Sequence, residues 1–183
     1  MRIITGKARG KRLQTLEGRD VRPTTERIKE SLFNILQFDI EGRRFLDLFA
    51  GSGQVGLEAV SRGAKNAVLV DSSRDSIQVI QRNVQNTGLG EWTQVIQSDY
   101  RAYLLRKDGK FDLAFLDPPY ETGLLEDALP LVVQRMTVGG TIVCEHPTEE
   151  TLPETVGDFV QVRSYRYGKI LLTLYRHKEV VEP

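Results

Sequence analysis

Phe45-Leu46-Asp47-Leu48-Phe49-Ala50-Gly51-Ser52-Gly53-Gln54-Val55-Gly56 reads as a strand that runs into a glycine turn and then a helix, because an apolar run is broken by glycine before helical spacing begins. Outward from it, short apolar runs at 45–49, 67–70, 94–97, 113–116 and 141–144 alternate with helical patterns at 53–62, 75–86, 100–106 and 124–136. Strand-helix alternation makes a parallel sheet, since each parallel pair needs a crossover and right-handed crossovers lay helices on both faces. Upstream, Arg22-Pro23-Thr24-Thr25-Glu26 has the chemistry of a helix start, with Thr as N-cap and an acid near the positive end of the dipole. Ile28, Leu32, Phe33, Ile35 and Leu36 then recur at helical spacing. At the other end, Phe159-Val160-Gln161-Val162 and Ile170-Leu171-Leu172-Thr173-Leu174-Tyr175 flank Tyr167-Gly168 with no room for a helix, so a hairpin forms and one strand runs antiparallel.

The chain of 183 residues is of one-domain size and carries no repeat or linker, so residues 1–183 are expected to form a single domain. It lacks an apolar run of membrane-spanning length and a signal-peptide pattern near Met1, so a cytoplasmic protein without a membrane partner is expected. Cys144, the single cysteine, sits in an apolar run and reads as buried packing. His146 and His177 are far apart and expected at the surface, and no metal site is expected. The net charge of zero hides a polarity: residues 1–44 hold 11 Lys/Arg against 6 Asp/Glu, and the remainder 14 against 19. Arg2, Lys7, Arg9, Lys11 and Arg12 precede any acid, with Gly6 and Gly10 between them. A flexible basic segment of this kind suits phosphate contacts, though charge alone fits a solvated terminus equally.

Gly51, Gly53 and Gly56 have the spacing of a dinucleotide-binding turn, where glycine lets backbone approach a ligand and a helix N-terminus offers N–H donors. A nicotinamide-binding protein and a methyltransferase both need such a turn. Asp71, twenty residues after Gly51, can take the ribose hydroxyls of either cofactor. Asp47, inside the first strand, suits an ammonium or sulfonium better than a pyrophosphate, and Asp99 is placed for an adenine amino group. Each of these acids could also be a mere helix cap. With Phe49, Gly51 and Gly53 they form the expected set for S-adenosylmethionine.

Phe111-Asp112-Leu113-Ala114-Phe115-Leu116 runs directly into Asp117-Pro118-Pro119-Tyr120, on the sheet edge that carries the glycine turn. An exocyclic amino group on a base is a poor nucleophile because its lone pair is delocalised into the ring. Acceptors on its N–H bonds, here the Asp117 carboxylate and the Pro118 carbonyl, draw the nitrogen toward a pyramidal form and free that pair. Two prolines fix the backbone and remove competing donors. Tyr120 offers a ring on which an unstacked base can lie. The tetrad would also serve as a plain turn anywhere.

These motifs resemble the bacterial small-subunit (16S) ribosomal RNA guanine-N2 methyltransferases. The resemblance begins at Arg2-Ile3-Ile4-Thr5-Gly6-Lys7-Ala8-Arg9-Gly10-Lys11-Arg12-Leu13 and continues through residues 22–34, 47–53 and 117–120 to Tyr167-Gly168. It implies a Rossmann-like class I methyltransferase fold: an α/β sheet of seven strands, mostly parallel with the last antiparallel, helices on both faces and a short basic N-terminal extension. It further implies that Thr24 or Thr25 lies near the methionine end of the cofactor. Residues 1–22 would hold RNA, through Arg2, Lys7, Arg9, Lys11, Arg12 and Arg22. The partner would be 16S ribosomal RNA, free or within an assembling 30S particle, and the protein a monomer. Asp71 stands where many relatives have Glu, which changes only reach. Within the same chemistry, adenine-N6 methylation stays open, as do a nicotinamide oxidoreductase and an RNA-binding module without catalysis.

Overall fold

The computed structural model describes residues 1–16, 25–120 and 122–181. Helix α1 (Glu26–Leu36) starts where Thr25 accepts the Ile28 N–H at 3.2 Å, and it buries Ile28, Leu32, Phe33 and Leu36 along one stripe. The alternation then runs β1 (Arg44–Asp47), α2 (Gln54–Ser61), β2 (Asn66–Asp71), α3 (Arg74–Thr87), β3 (Thr93–Gln97), α4 (Tyr100–Leu104), β4 (Phe111–Leu116), α5 (Leu124–Val133) and β5 (Met136–Pro147). Strands β6 (Thr155–Val156), β7 (Phe159–Tyr167) and β8 (Ile170–His177) follow, and α6 (Lys178–Val181) comes last. The sheet order is β3-β2-β1-β4-β5-β8-β7-β6, with β1 to β5 mutually parallel and β8 antiparallel between β5 and β7. Helices α1, α2 and α3 cover one apolar face and α4 and α5 the other. Order reverses at β1, so the carboxyl ends of β1 and β4 diverge and open a crevice. Among the described residues no helix is long and apolar enough to cross a membrane.

This is the expected α/β methyltransferase sheet, with eight strands in place of seven. The additional strand is β6, two residues that pair with Val160 and Phe159 at the sheet edge and are too short to show periodicity. Helix α5 ends at Val133, short of 136, because Met136 already pairs with Phe111 and opens β5. Both histidines are buried, against the surface positions expected: His146 bonds Thr173 Oγ1 at 2.7 Å and His177 meets the Phe159 ring edge-on. Burial lowers the His146 pKa.

The basic N-terminal segment is docked, where flexibility was expected. Residues 1–13 form a hairpin, with Ile3 N–H donating to Lys11 O, Leu13 N–H to Met1 O, and Arg2 bridging Arg12. Ile3, Ala8 and Leu13 are buried in the core on the α1 face. Glu58 of α2, fully buried, accepts the Ile4 and Thr5 N–H groups at 2.8 and 3.1 Å and Arg62 Nε at 2.9 Å, and pairs with buried Lys29 of α1 at 3.4 Å. Lys29 in turn donates to Arg2 O at 2.7 Å. Burial lowers the Lys29 pKa and Glu58 opposes the shift. Gly6 does not loosen the chain: at φ +94° a Cβ there would lie 1.8 Å from Ser61 O, so only glycine permits the contact.

Candidate active site

Each cavity residue is held by an element end. Asp47 is the last residue of β1; its Oδ2 accepts the Gly56 N–H of α2 at 2.9 Å. The chain then turns through Gly51 at φ +59° to Gly53, which caps α2 at φ +80°. A Cβ at Gly56 would meet Leu69 at 2.7 Å, so this third glycine serves helix–strand packing. Asp71 ends β2 and grips the turn, accepting the Gly51 N–H at 2.9 Å through one oxygen and Ser73 N–H at 2.9 Å through the other. Asp99 caps α4, accepting from Ala102 N–H at 2.9 Å. After β4, Asp117 and Tyr120 are half-buried, Pro118 buried and Pro119 exposed, and Thr122 Oγ1 donates to Pro119 O at 2.8 Å to tighten the turn.

These groups share one cavity of about 850 Å³, within the range of small-molecule sites. Asp47, Phe49, Gly51, Asp71 and Asp99 line it together with Asp117, Pro118 and Tyr120. Gly53 lies behind the wall, with its Cβ position filled by Leu69 and Ile80. Thr25 is the α1 cap and does not line the cavity; Thr24 and Arg22 lie outside the described residues. Of the remaining basic residues, Arg2 pairs with Glu26 at 3.8 Å and Lys7 lies 3.7 Å over the Trp92 ring. Arg9, Lys11 and Arg12 are exposed. A second cavity, of about 150 Å³ beside Arg44, Asn66 and Trp92, is too small for a nucleoside.

Among the lining residues that escape sequence reasoning, three shape the cavity wall. Tyr100 sets its ring 5.7 Å from that of Phe49, making an aromatic wall from residues far apart in sequence; only its position next to Asp99 hints at it. Thr15 and Leu16 continue the docked hairpin into the cavity. They are held by Asn83 of α3, fully buried, which bonds Gln14 N–H and O at 2.7 and 2.9 Å and also donates to Ser52 O at 2.9 Å. One amide side chain thereby ties the N-terminal segment to the glycine turn.

The electrostatics are one-sided. Four carboxylates line the cavity and, among the described residues, no Lys, Arg or His does. Burial pushes the Asp47 carboxyl up to about 7, against its Gly56 hydrogen bond, and the charges of Asp117 and Asp71 push it further the same way. Among the described residues the lining favours a cation over a pyrophosphate. The strand order and the crevice between β1 and β4 are those of the α/β methyltransferase fold class.

Comparison with known proteins narrows the class. A family model described as Conserved hypothetical protein 95 matches residues 1–176. Ribosomal RNA small subunit methyltransferase D of Escherichia coli (strain K12) is 33% identical over 180 residues, covering 97% of this chain and 90% of the relative. YlbH of Bacillus subtilis (strain 168) is 39% identical over 183 residues, covering 97% of this chain and all of the relative. The solved structure of yhhF from Escherichia coli superposes with a TM-score of 0.87 at 32% identity, over 97% of each chain. The chain belongs to this family, that of the ribosomal RNA small subunit methyltransferase D proteins.

Proposed function

We propose that the protein transfers a methyl group from S-adenosylmethionine to the exocyclic N2 amino group of a guanine in small-subunit ribosomal RNA. The observation that carries the reading is the opening of Asp117-Pro118-Pro119-Tyr120 onto the same acidic cavity as Asp47 and Asp71. The relative named for small-subunit ribosomal RNA supports the substrate. S-adenosylmethionine, when bound, supplies an electrophilic methyl on a cationic sulfonium. The residues present fit it: a cavity of suitable volume, a carboxylate at each strand end and no competing cation among the described lining residues.

Asp71 keeps further lone pairs on both oxygens for two ribose hydroxyls, beyond the backbone N–H groups it already accepts. Asp47 would hold the ammonium and Asp99 the adenine amino group, and the Phe49 and Tyr100 rings, 5.7 Å apart, would flank the nucleoside base. On the substrate side, Asp117 and the Pro118 carbonyl would accept the N–H bonds of the target amine, leaving its lone pair free to take the methyl as the S–C bond breaks and the neutral thioether departs; the carboxylate of Asp117 would take the proton that the nitrogen sheds, and Tyr120 would carry the extruded base. Guanine presents donors at N1 and N2, which match acceptor-only Asp117. The rest of the catalysis is proximity and orientation. A tritiated-methyl transfer assay on naked small-subunit RNA, protein-bound small-subunit particles and DNA, with nucleoside analysis, tests this. N2-methylguanosine is expected; N6-methyladenine, or no label in any substrate, would overturn it.

A further inference from the structure

The Tyr167-Gly168 pair turns the chain from β7 into β8 through a two-residue loop, Gly168-Lys169, with Gly168 at φ +62° and Tyr167 paired to Ile170. Strand β7 runs parallel to β4, so this turn rises at the sheet edge that carries residues 117–120. The register fixes its place. Leu116 pairs with Cys144, Cys144 with Thr173, and β5 continues to Pro147, opposite Ile170. The turn therefore stands about 10 Å beyond the end of β4 and, across three strand spacings, about 14 Å to its side.

Charge is segregated around this hairpin. From Phe159 to His177 it holds Arg163, Arg166, Lys169 and Arg176 and no acid, whereas residues 145–158 hold five acids and no Lys or Arg. Arg176 pairs with Asp39 at 3.6 Å. Arg163, Arg166 and Lys169 are exposed, and none has an acidic partner among the described residues. Arg163 lies 4.6 Å over the Tyr165 ring, and Arg166 Nε donates to Gly168 O at 2.9 Å, so both are fixed on the strand. The segment bearing Glu149 and Glu150 reaches the turn through the Thr148 N–H on Lys169 O, without an ion pair to Lys169. The tip of the N-terminal hairpin lies elsewhere: Lys7 N–H donates to Ser61 O, at the far end of α2 from Gly53 and about 12 Å along that helix.

We propose that the β7–β8 hairpin is a second RNA-docking surface, on which Arg163, Arg166 and Lys169 hold backbone phosphates of nucleotides flanking the target base. It rests on the reading of the substrate as ribosomal RNA. Lys169 in the turn and Arg163 and Arg166 on the two faces of the strand that leads into it, none with an acidic partner among the described residues, bracket this edge and match a polyanion. Charges that only guard an edge strand against pairing could be of either sign and need no such position.

The test is the triple variant Arg163→Gln, Arg166→Gln, Lys169→Gln, assayed with naked small-subunit RNA for binding at several salt concentrations and for methyl transfer. Expected are a rise of about tenfold or more in both Kd and KM for RNA near 0.1 M salt, and a salt slope lower by about 2. Thermal stability, cofactor affinity and kcat at saturating RNA stay unchanged, and the charge-keeping pair Arg163→Lys, Arg166→Lys behaves as wild type. Unchanged RNA affinity and slope overturn the proposal. So does a defect seen only with protein-bound particles, which would put a protein on the β7 edge. Wild-type protein that binds RNA through these residues but methylates no guanine would overturn the functional reading and leave the docking surface standing.

Discussion

Asp47→Asn removes the ionisation of the most buried carboxyl in the cavity while keeping an oxygen that can accept the Gly56 N–H. In the wild type, burial raises this group from 3.8 to about 7. A raised carboxyl pKa means that the folded state holds the proton more tightly than the unfolded chain. Below about pH 3 both states are protonated and nothing is lost; as pH rises toward 7 the unfolded chain ionises first and stability falls, and above 7 the full cost is present. Three pKa units at about 1.4 kcal/mol each make that cost about 4 kcal/mol. The variant escapes it. Its stability advantage over wild type should be near zero at about pH 3, about 2 kcal/mol near pH 5.5 and about 4 kcal/mol at about pH 8. The last corresponds to roughly 8–16 °C in Tm. Urea unfolding of both cofactor-free proteins across this range, with m held in common, reads the difference. An advantage independent of pH, or a variant less stable than wild type at pH 8, would refute the account of Asp47. The same substitution should weaken S-adenosylmethionine binding steeply, because the negative charge that costs the fold is what attracts the ammonium.

Asp117→Ala should abolish methyl transfer while cofactor affinity, read by isothermal titration, stays within a few-fold; equal loss of both would show that Asp117 serves the cofactor. Gly6→Ala forces a Cβ into Ser61 O at positive φ and should cost about 3 kcal/mol or more, seen as a fall of about 6–12 °C in Tm. Asn83→Ala leaves the Gln14 N–H and the Gln14 and Ser52 carbonyls without this partner, at a cost of about 2–4 kcal/mol in denaturation. Faster hydrogen exchange at Gln14 to Leu16, with weaker cofactor binding, would follow from the loosened wall; unaltered exchange there would contradict the tie.

The alternation from 45 to 147 was legible because strand and helix declare themselves through local periodicity and glycine breaks them at fixed points. The edges were not: β6 is two residues long, and Met136 leaves the helical pattern only because Phe111 pairs with it. The N-terminal hairpin misled for a related reason. Its charges are frequent in sequence, but Ile3, Ala8 and Leu13, scattered between them, are what the core takes up. A hint was available in α2, where Glu58 interrupts the apolar run from Val55 to Val60 and so needed a buried partner.

From its residues alone this chain determined a glycine turn after the first strand, carboxylates at successive strand ends and Asp-Pro-Pro-Tyr after the fourth, since backbone chirality and side-chain period act over a few neighbours. Only the tertiary structure decided that four of those carboxylates share one cavity, that Asp47 among them is the one raised to about 7, and that the tips of the two basic hairpins lie apart, one at the far end of α2 and one at the sheet edge of the cavity. Burial and Coulomb interactions sum over everything packed around a group, and that sum exists only once the chain has closed on itself.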